Sequence, residues 1–242
     1  MGYDLSQHVR LGADLAMPSV LAAAHELKAP LVLMRQLSLE LALYDASPEQ
    51  KRAQERMRLT TERTLRLVDN ITRASRLEDG LFEMEPLQVA SIWHHVAQEV
   101  RPLARNLDQT LEVKVPKRPM LVVGHRELLP AVLMGLCDNA VSHTGRGGRV
   151  QLSARAKGHE IEFAVRDEGP VISNQAFEQL KDRLGHGPQP LGARPSSSGL
   201  GLWIAGEFAR SMSSRLEVTR HRSGGMTFSL LVPTSQQLSL LS

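Results

Sequence analysis

The sequence predicts two parts of different class: a helical hairpin that forms a dimeric four-helix bundle, followed by an α/β two-layer sandwich. Three observations carry this. Apolar residues recur at helical spacing over residues 11–44 and again after Pro48, with a turn signal between. Beyond Pro86, helical stretches alternate with short runs of period two. Gly80 and Pro86 punctuate the chain where one pattern gives way to the other.

In the first helix Val20, Ala24, Leu27, Leu31, Met34 and Leu41 recur at steps of three, four and seven, a coiled-coil-like stripe. The chain breaks at Asp45-Ala46-Ser47-Pro48. There Ser47 suits an N-cap, Pro48 the first helical position, and Gln50 the reciprocal place in a capping box. Met57, Thr64, Leu67, Ile71 and Ala74 mark the stripe of the second helix, which is expected to end near Gly80. Two helices with one stripe each bury too little alone, so a second copy is the expected partner, giving a homodimer. The alternative is that the stripes pack on the second half of the same chain.

The domain boundary is expected between Gly80 and Leu87, dividing a hairpin over residues 11–80 from a second domain over 87–234. Helices are predicted at Val89–Leu107, Arg126–Ser142 and Gly201–Ser213. Strands are predicted around Leu111–Val115, Met120–Val122, Val150–Ala154, Ile161–Val165, Leu216–Val218 and Met226–Leu230. Lys157-Gly158 and Ser223-Gly224-Gly225 pair the last four as hairpins. From Leu184 to Ser198 glycine, proline and serine crowd out apolar residues, so a mobile loop is expected, and such a loop within a domain is ordinarily a lid or a binding loop.

Composition narrows the function classes. The chain has 242 residues, 42% hydrophobic, enough for ordinary packed cores. Charged residues interrupt every apolar run well short of the roughly 18 residues that span a bilayer. No secretory signal is evident, and a cytoplasmic location is the default expectation, with the chain alternatively the soluble part of a larger or membrane-bound sensor. A net charge of +3 with interspersed signs, two Trp, two Tyr and five Phe argue against nucleic acid. The single Cys137 sits among Leu133, Leu136 and Ala140 and is expected to be a buried, inert thiol.

His25 stands in the first helix as His25-Glu26-Leu27-Lys28-Ala29-Pro30-Leu31. Helical stepping places it at the edge of the apolar stripe, where its ring reaches solvent. A lone helical histidine is ordinarily a surface or interface residue. Two features set this one apart: an adjacent acid able to orient the ring or take its proton, and a proline five residues on that removes a backbone donor.

These residues resemble the phosphoacceptor box of two-component sensor histidine kinases, His-Glu-Leu-Arg/Lys-Thr-Pro-Leu, at every position except Ala29. Ser75-Arg76-Leu77-Glu78-Asp79-Gly80 resembles the usual close of the second helix. The likeness continues in family order. Asp138-Asn139-Ala140-Val141-Ser142-His143-Thr144 is similar to the asparagine box and Asp167-Glu168-Gly169-Pro170 to the adenine-recognition box. Ser198-Gly199-Leu200-Gly201-Leu202 is similar to the glycine box, and Gly225-Met226-Thr227-Phe228 to the closing hairpin.

The resemblance implies a histidine kinase that phosphorylates His25 from ATP, with Glu26 assisting, and passes the phosphoryl group to an aspartate of a response-regulator receiver domain. It implies that Asn139 presents an amide oxygen to Mg2+ and that Asp167 accepts the adenine amino proton. Gly169, Gly199 and Gly201 would let backbone approach the nucleotide, with Leu200 and Leu202 in the same box and Thr227 in the closing hairpin. No Gly-x-x-x-x-Gly-Lys-Ser/Thr occurs, which excludes a P-loop.

Departures from the family pattern bear on activity. Gly135 stands one turn before Asn139, where a second asparagine is common. Ser142 replaces a frequent lysine, leaving Lys181, Arg183 or Arg194 near a lid over about 181–198 to meet phosphate charge. His143 takes the place of an aromatic residue and can still stack on the nucleotide. Val171 replaces a glycine, and His125 an aspartate. Ala29 removes the polar side chain that positions the dephosphorylating water, so phosphatase activity is expected to be weak. Two alternatives stay open: a phosphotransfer scaffold with a degenerate ATP domain, and a dimeric module that binds nucleotide without chemistry.

Overall fold

The computed structural model describes residues 5–74, 83–116, 118–184 and 200–235, with side chains from residue 22 onward and without that of residue 183. The chain divides into two compact units, residues 1–80 and 81–242.

The first unit is a helical hairpin of α1 (Leu5–Leu41) and α2 (Pro48–Ala74). The Ser47 backbone N–H donates to Gln50 Oε1 at 2.8 Å and Gln50 N–H to Ser47 Oγ at 3.3 Å, which closes the capping box. The α1 stripe splits in two. Ala24 and Ser38 are buried and Leu31 half-buried, a seven-residue repeat facing α2, where Leu59, Thr61, Val68 and Ala74 are buried. Leu27, Met34 and Leu41, one three-residue step round, are exposed, as is Met57 on α2. Here α2 covers one of the two lines of the stripe and leaves the other bare.

The second unit opens with β1 (Glu85–Gln88) and α3 (Val89–Asn106), then β2 (Thr110–Lys114), β3 (Leu121–Gly124) and α4 (Leu128–His143). The hairpin β4 (Arg149–Lys157) and β5 (Glu160–Arg166) follows, then α5 (Asn174–Arg183), α6 (Leu200–Ser211) and the hairpin β6 (Arg215–Arg220) and β7 (Met226–Pro233). Five strands form one sheet in the order β2-β4-β5-β7-β6, antiparallel except for the parallel β2–β4 pair. A separate two-stranded sheet pairs β1 with β3.

Phe163, Val165, Phe228, Leu230 and Val232 are all but inaccessible on one face of the large sheet, with Trp93 of α3 tilted against Phe163 at 5.5 Å between ring centroids. Leu129, Val132, Leu133, Leu136 and Cys137 of α4 are fully buried, and each such large side chain contributes about 1.5–3 kcal/mol by leaving water. Burial also pushes the Cys137 thiol well up, as an inert core residue requires. The other sheet face carries Arg155–Glu162, Lys157–Glu217 and Arg215–Glu160 pairs. Helices therefore cover one side, the two-layer arrangement that the alternating runs predict.

Two elements differ from the sequence expectation. The short strand β1 straddles residue 87, where the second domain was expected to begin, and contains Pro86, so its alternation is too brief to register; pairing with β3 defines it. Residues 181–183 end the helix α5 and do not begin a loop. Ser173 caps this helix by accepting the Ala176 N–H at 3.2 Å. Leu180 is buried, and Arg220 lies over the Phe177 ring at 5.4 Å. A polar ten-residue helix held by these few tertiary contacts leaves little periodic signal. The expected close of the second helix at Ser75–Gly80 and most of the glycine-rich loop lie outside the described residues.

Candidate functional site

The site in the second unit begins with α4. Its buried stripe faces the core, which leaves Gly135, Asn139 and His143, spaced by four, together on a half-buried stripe. Gln109 fixes the end of this helix, donating from Nε2 to the carbonyls of Val141 at 2.9 Å and Thr144 at 2.6 Å. A Cβ built on Gly135 would meet nothing within 4 Å, so the position has room for a larger side chain and no packing reason for glycine. His125 Nδ1 accepts the N–H groups of Glu127 at 3.2 Å and Leu128 at 3.3 Å at the start of α4, a capping job open to the aspartate it replaces.

Asp167 lies just beyond β5 and is 1% exposed. Its Oδ1 accepts the backbone N–H of Gly169 at 2.8 Å and of Met226 at 3.2 Å. Its Oδ2 is buried and, among the described residues, has no hydrogen-bond partner. Burial pushes the Asp167 carboxyl above the ordinary aspartate range, against the pull of the two N–H groups. A buried acceptor left open is costly unless a ligand donor completes it.

Glycines bring backbone against this carboxylate. A Cβ on Gly169 would fall 2.7 Å from Asp167 Oδ1 and 3.1 Å from the His143 carbonyl, so the Asp167 loop touches the end of α4. Gly224 and Gly225 adopt φ of +97° and +76° in the β6–β7 turn, and a Cβ on Gly225 would fall 2.1 Å from the Asp167 carbonyl oxygen. Leu200 and Gly201 open α6, which packs on α4, and the first-turn N–H groups of any helix lack intrahelical acceptors. Among the described residues, a Cβ on Gly201 would meet nothing within 4 Å, so packing against them does not explain that glycine.

Residues 124–236 match the model of the histidine kinase-, DNA gyrase B- and HSP90-like ATPases. The sensor-like histidine kinase SenX3 of Mycobacterium tuberculosis is 29% identical over 234 residues, 96% of this chain and 57% of its own length. Sensor protein QseC of Escherichia coli O157:H7 is 30% identical over 213 residues, 84% of this chain and 44% of its own length. The matched region and the relatives together support a two-component histidine kinase core. The chain spans little more than half the length of SenX3 and less than half that of QseC. The chain also shares its fold with full-length ShkA, solved in complex with AMPPNP, at a TM-score of 0.63 and 21% identity, over 90% of this chain and 46% of that one. None of its described helices is long and apolar enough to cross a membrane.

Within the second unit the structure brings Asn139, His143, Asp167 and Gly169 together, with Leu200 and Gly201 on the helix beside α4. It does not bring Thr227 with them. Phe163 faces the helices, so Val165 and Asp167 follow on that face, and Phe228, paired with Val165, shares it. Thr227 pairs with Arg166 and points to the opposite face, where its hydroxyl is 2.7 Å from His221 Nε2. Thr227 thus stands one residue of register away from the position beside Asp167. Met226 takes the place beside Asp167, its N–H donating to Oδ1 and its carbonyl accepting the Asp167 N–H at 2.9 Å. Nothing in the spacing marks Met226 or Gln109, because Met226 acts through its own backbone and the Gln109 side chain on distant carbonyls, contacts made only in the fold.

The remaining expected residues divide by where they stand. The Leu202 side chain is 8% exposed and belongs to the core, which leaves only its backbone for a ligand. Lys181 is exposed on α5 with Glu178 at 4.0 Å. Val171, in place of a glycine, is 68% exposed. Gly199, Arg194 and the Arg183 side chain lie outside the described residues.

In the hairpin unit His25 and Glu26 are exposed on α1, next to buried Ala24. Lys28 Nζ bonds Asp69 Oδ1 of α2 at 2.8 Å. Pro30 has no N–H, so the Glu26 carbonyl lacks its helical donor.

Proposed function

We propose that the chain autophosphorylates His25 from ATP and passes the phosphoryl group to an aspartate of a response-regulator receiver domain. The observation that carries the ATP half is the open, buried Oδ2 of Asp167, an acceptor of one hydrogen bond set in a backbone cradle too tight for any Cβ. An exocyclic amine of adenine supplies that donor. Asn139 and His143 line the same site, with the Gly201 turn of α6 supplying amide donors for phosphate. Mg2+ fits Asn139 as an oxygen donor, with most of its shell left to phosphate and water, and it would neutralise the developing charge of the transferred group.

On this reading residues 1–80 are the phosphoacceptor hairpin and residues 81–242 the ATP-binding domain. His25 is exposed enough to attack, and Glu26 takes the imidazole proton as the nitrogen–phosphorus bond forms and ADP leaves with the bridging oxygen. A homodimer is supported by Leu27, Met34 and Leu41, the outer line of the heptad stripe that one hairpin leaves bare.

Incubation with γ-labelled ATP and Mg2+ tests the reading. Acid-labile label is expected on the wild type and absent from His25→Gln. Nucleotide binding with no label on the wild type would favour instead the dimeric module that binds nucleotide without chemistry, and loss of both binding and label the phosphotransfer scaffold that Gly135 motivates. The same reading predicts slow dephosphorylation of the regulator, since Ala29 cannot orient a water. Ala29→Thr is expected to accelerate phosphate release by about 10-fold, and equal rates in a timed regulator assay would count against it.

A further inference from the structure

We propose that Lys28 is the cationic partner of the phosphoryl group arriving at His25, held ready by Asp69 across the hairpin. The inference rests on His25 being the phosphoacceptor. Lys28 is three residues on from His25 in an unbroken α-helix, so the two side chains are neighbours on one face, with Cβ atoms about 5–6 Å apart. Arg35, the other α1 cation whose side chain is described, is ten residues from His25, roughly 15 Å along the axis, and it approaches Glu62 at 3.9 Å. Arg58 of α2 is already committed, to Glu55 at 2.6 Å and Glu62 at 2.7 Å. Lys28 is thus the α1 cation placed to meet charge at His25.

Its present partner is well formed but replaceable. Lys28 Nζ and Asp69 Oδ1 are 2.8 Å apart, with the two side chains 51% and 43% exposed. An exposed lysine–carboxylate pair contributes little to stability. A phosphoryl group with about two negative charges is the stronger acceptor. In the transfer the His25 nitrogen bonds to the γ-phosphorus, the bond from that phosphorus to the bridging oxygen breaks, and ADP departs with the electron pair. The imidazole proton goes to Glu26. The equatorial oxygens then stand beside Lys28, whose ammonium turns from Asp69 to them without any change in covalent bonding. Asp69 holds the lysine across the hairpin until then.

Single-turnover labelling of the full chain with γ-labelled ATP and Mg2+, across a range of ATP concentrations, tests this. Lys28→Met is expected to lower kcat by about 10- to 100-fold with KM for ATP unchanged, and Lys28→Arg to recover most of the loss. Asp69→Asn breaks the same cross-hairpin bond but leaves the ammonium in place, and is expected to label at or above the wild-type rate. Equal loss in Lys28→Met and Asp69→Asn would make the pair a mere strut and overturn the proposal. So would an unchanged kcat in Lys28→Met, or a rise in its KM alone. A wild type that takes no label defeats the His25 reading itself, and this inference with it.

Discussion

Asp167→Asn is expected to weaken nucleotide binding by at least about 100-fold while leaving the fold intact. The asparagine oxygen can take over the role of Oδ1, accepting the Gly169 and Met226 N–H groups. Its amide nitrogen then replaces the open acceptor Oδ2 with a donor, which faces the donor of the ligand. Losing a hydrogen bond to a charged group costs about 1.5–3 kcal/mol, and the unpaired donor adds to it. Stability should move the other way. Because burial raises the Asp167 carboxyl in the folded state, its ionisation opposes folding above that raised value, and the penalty fades as pH falls through it. The variant lacks this term, so it should be at least as stable as the wild type at neutral pH and gain less on mild acidification. Calorimetric titration with a nucleotide and thermal unfolding at several pH values check both halves. Unaltered affinity would remove Asp167 from the site.

Gly225→Ala is expected to destabilise the second unit by about 3 kcal/mol or more, through backbone strain and a direct clash. Its φ of +76° disfavours any Cβ, and the added atom would sit 2.1 Å from the Asp167 carbonyl oxygen. Relief requires the β6–β7 turn to move off the Asp167 loop, so nucleotide binding should fall with stability. Gly201→Ala is the matched control. Its Cβ meets nothing within 4 Å, and alanine is the better helix former. Parallel thermal melts that found the two variants equally stable would show that the turn does not brace the loop.

Much of the hairpin was legible because its signals are local. The Ser47-Pro48-Gln50 cap forms as its side chains dictate, with no help from distant residues. The boundary near residue 80 follows from the change of period. The two strand hairpins follow from Gly158 and Gly224-Gly225, each at positive φ. Less legible was α5, whose polar sequence is held by Phe177, Leu180 and a cation from β6. The heptad stripe of α1 was visible as one band, but its division into a covered Ala24–Ser38 line and a bare Leu27–Met34–Leu41 line depends on where α2 lies.

The sequence by itself determined the order of elements, the family boxes and the placing of His25 on a helix edge, since capping, periodicity and turn chemistry act over a few residues. The tertiary structure decided which residues share the site. Sheet register sets Asp167 and Met226 on the helix face and turns Thr227 away, because side chains alternate along a strand and a single residue reverses the face. Close backbone approach at Gly169 and Gly225 leaves one carboxylate oxygen buried and open. That condition arises between segments almost sixty residues apart, and no local pattern records it.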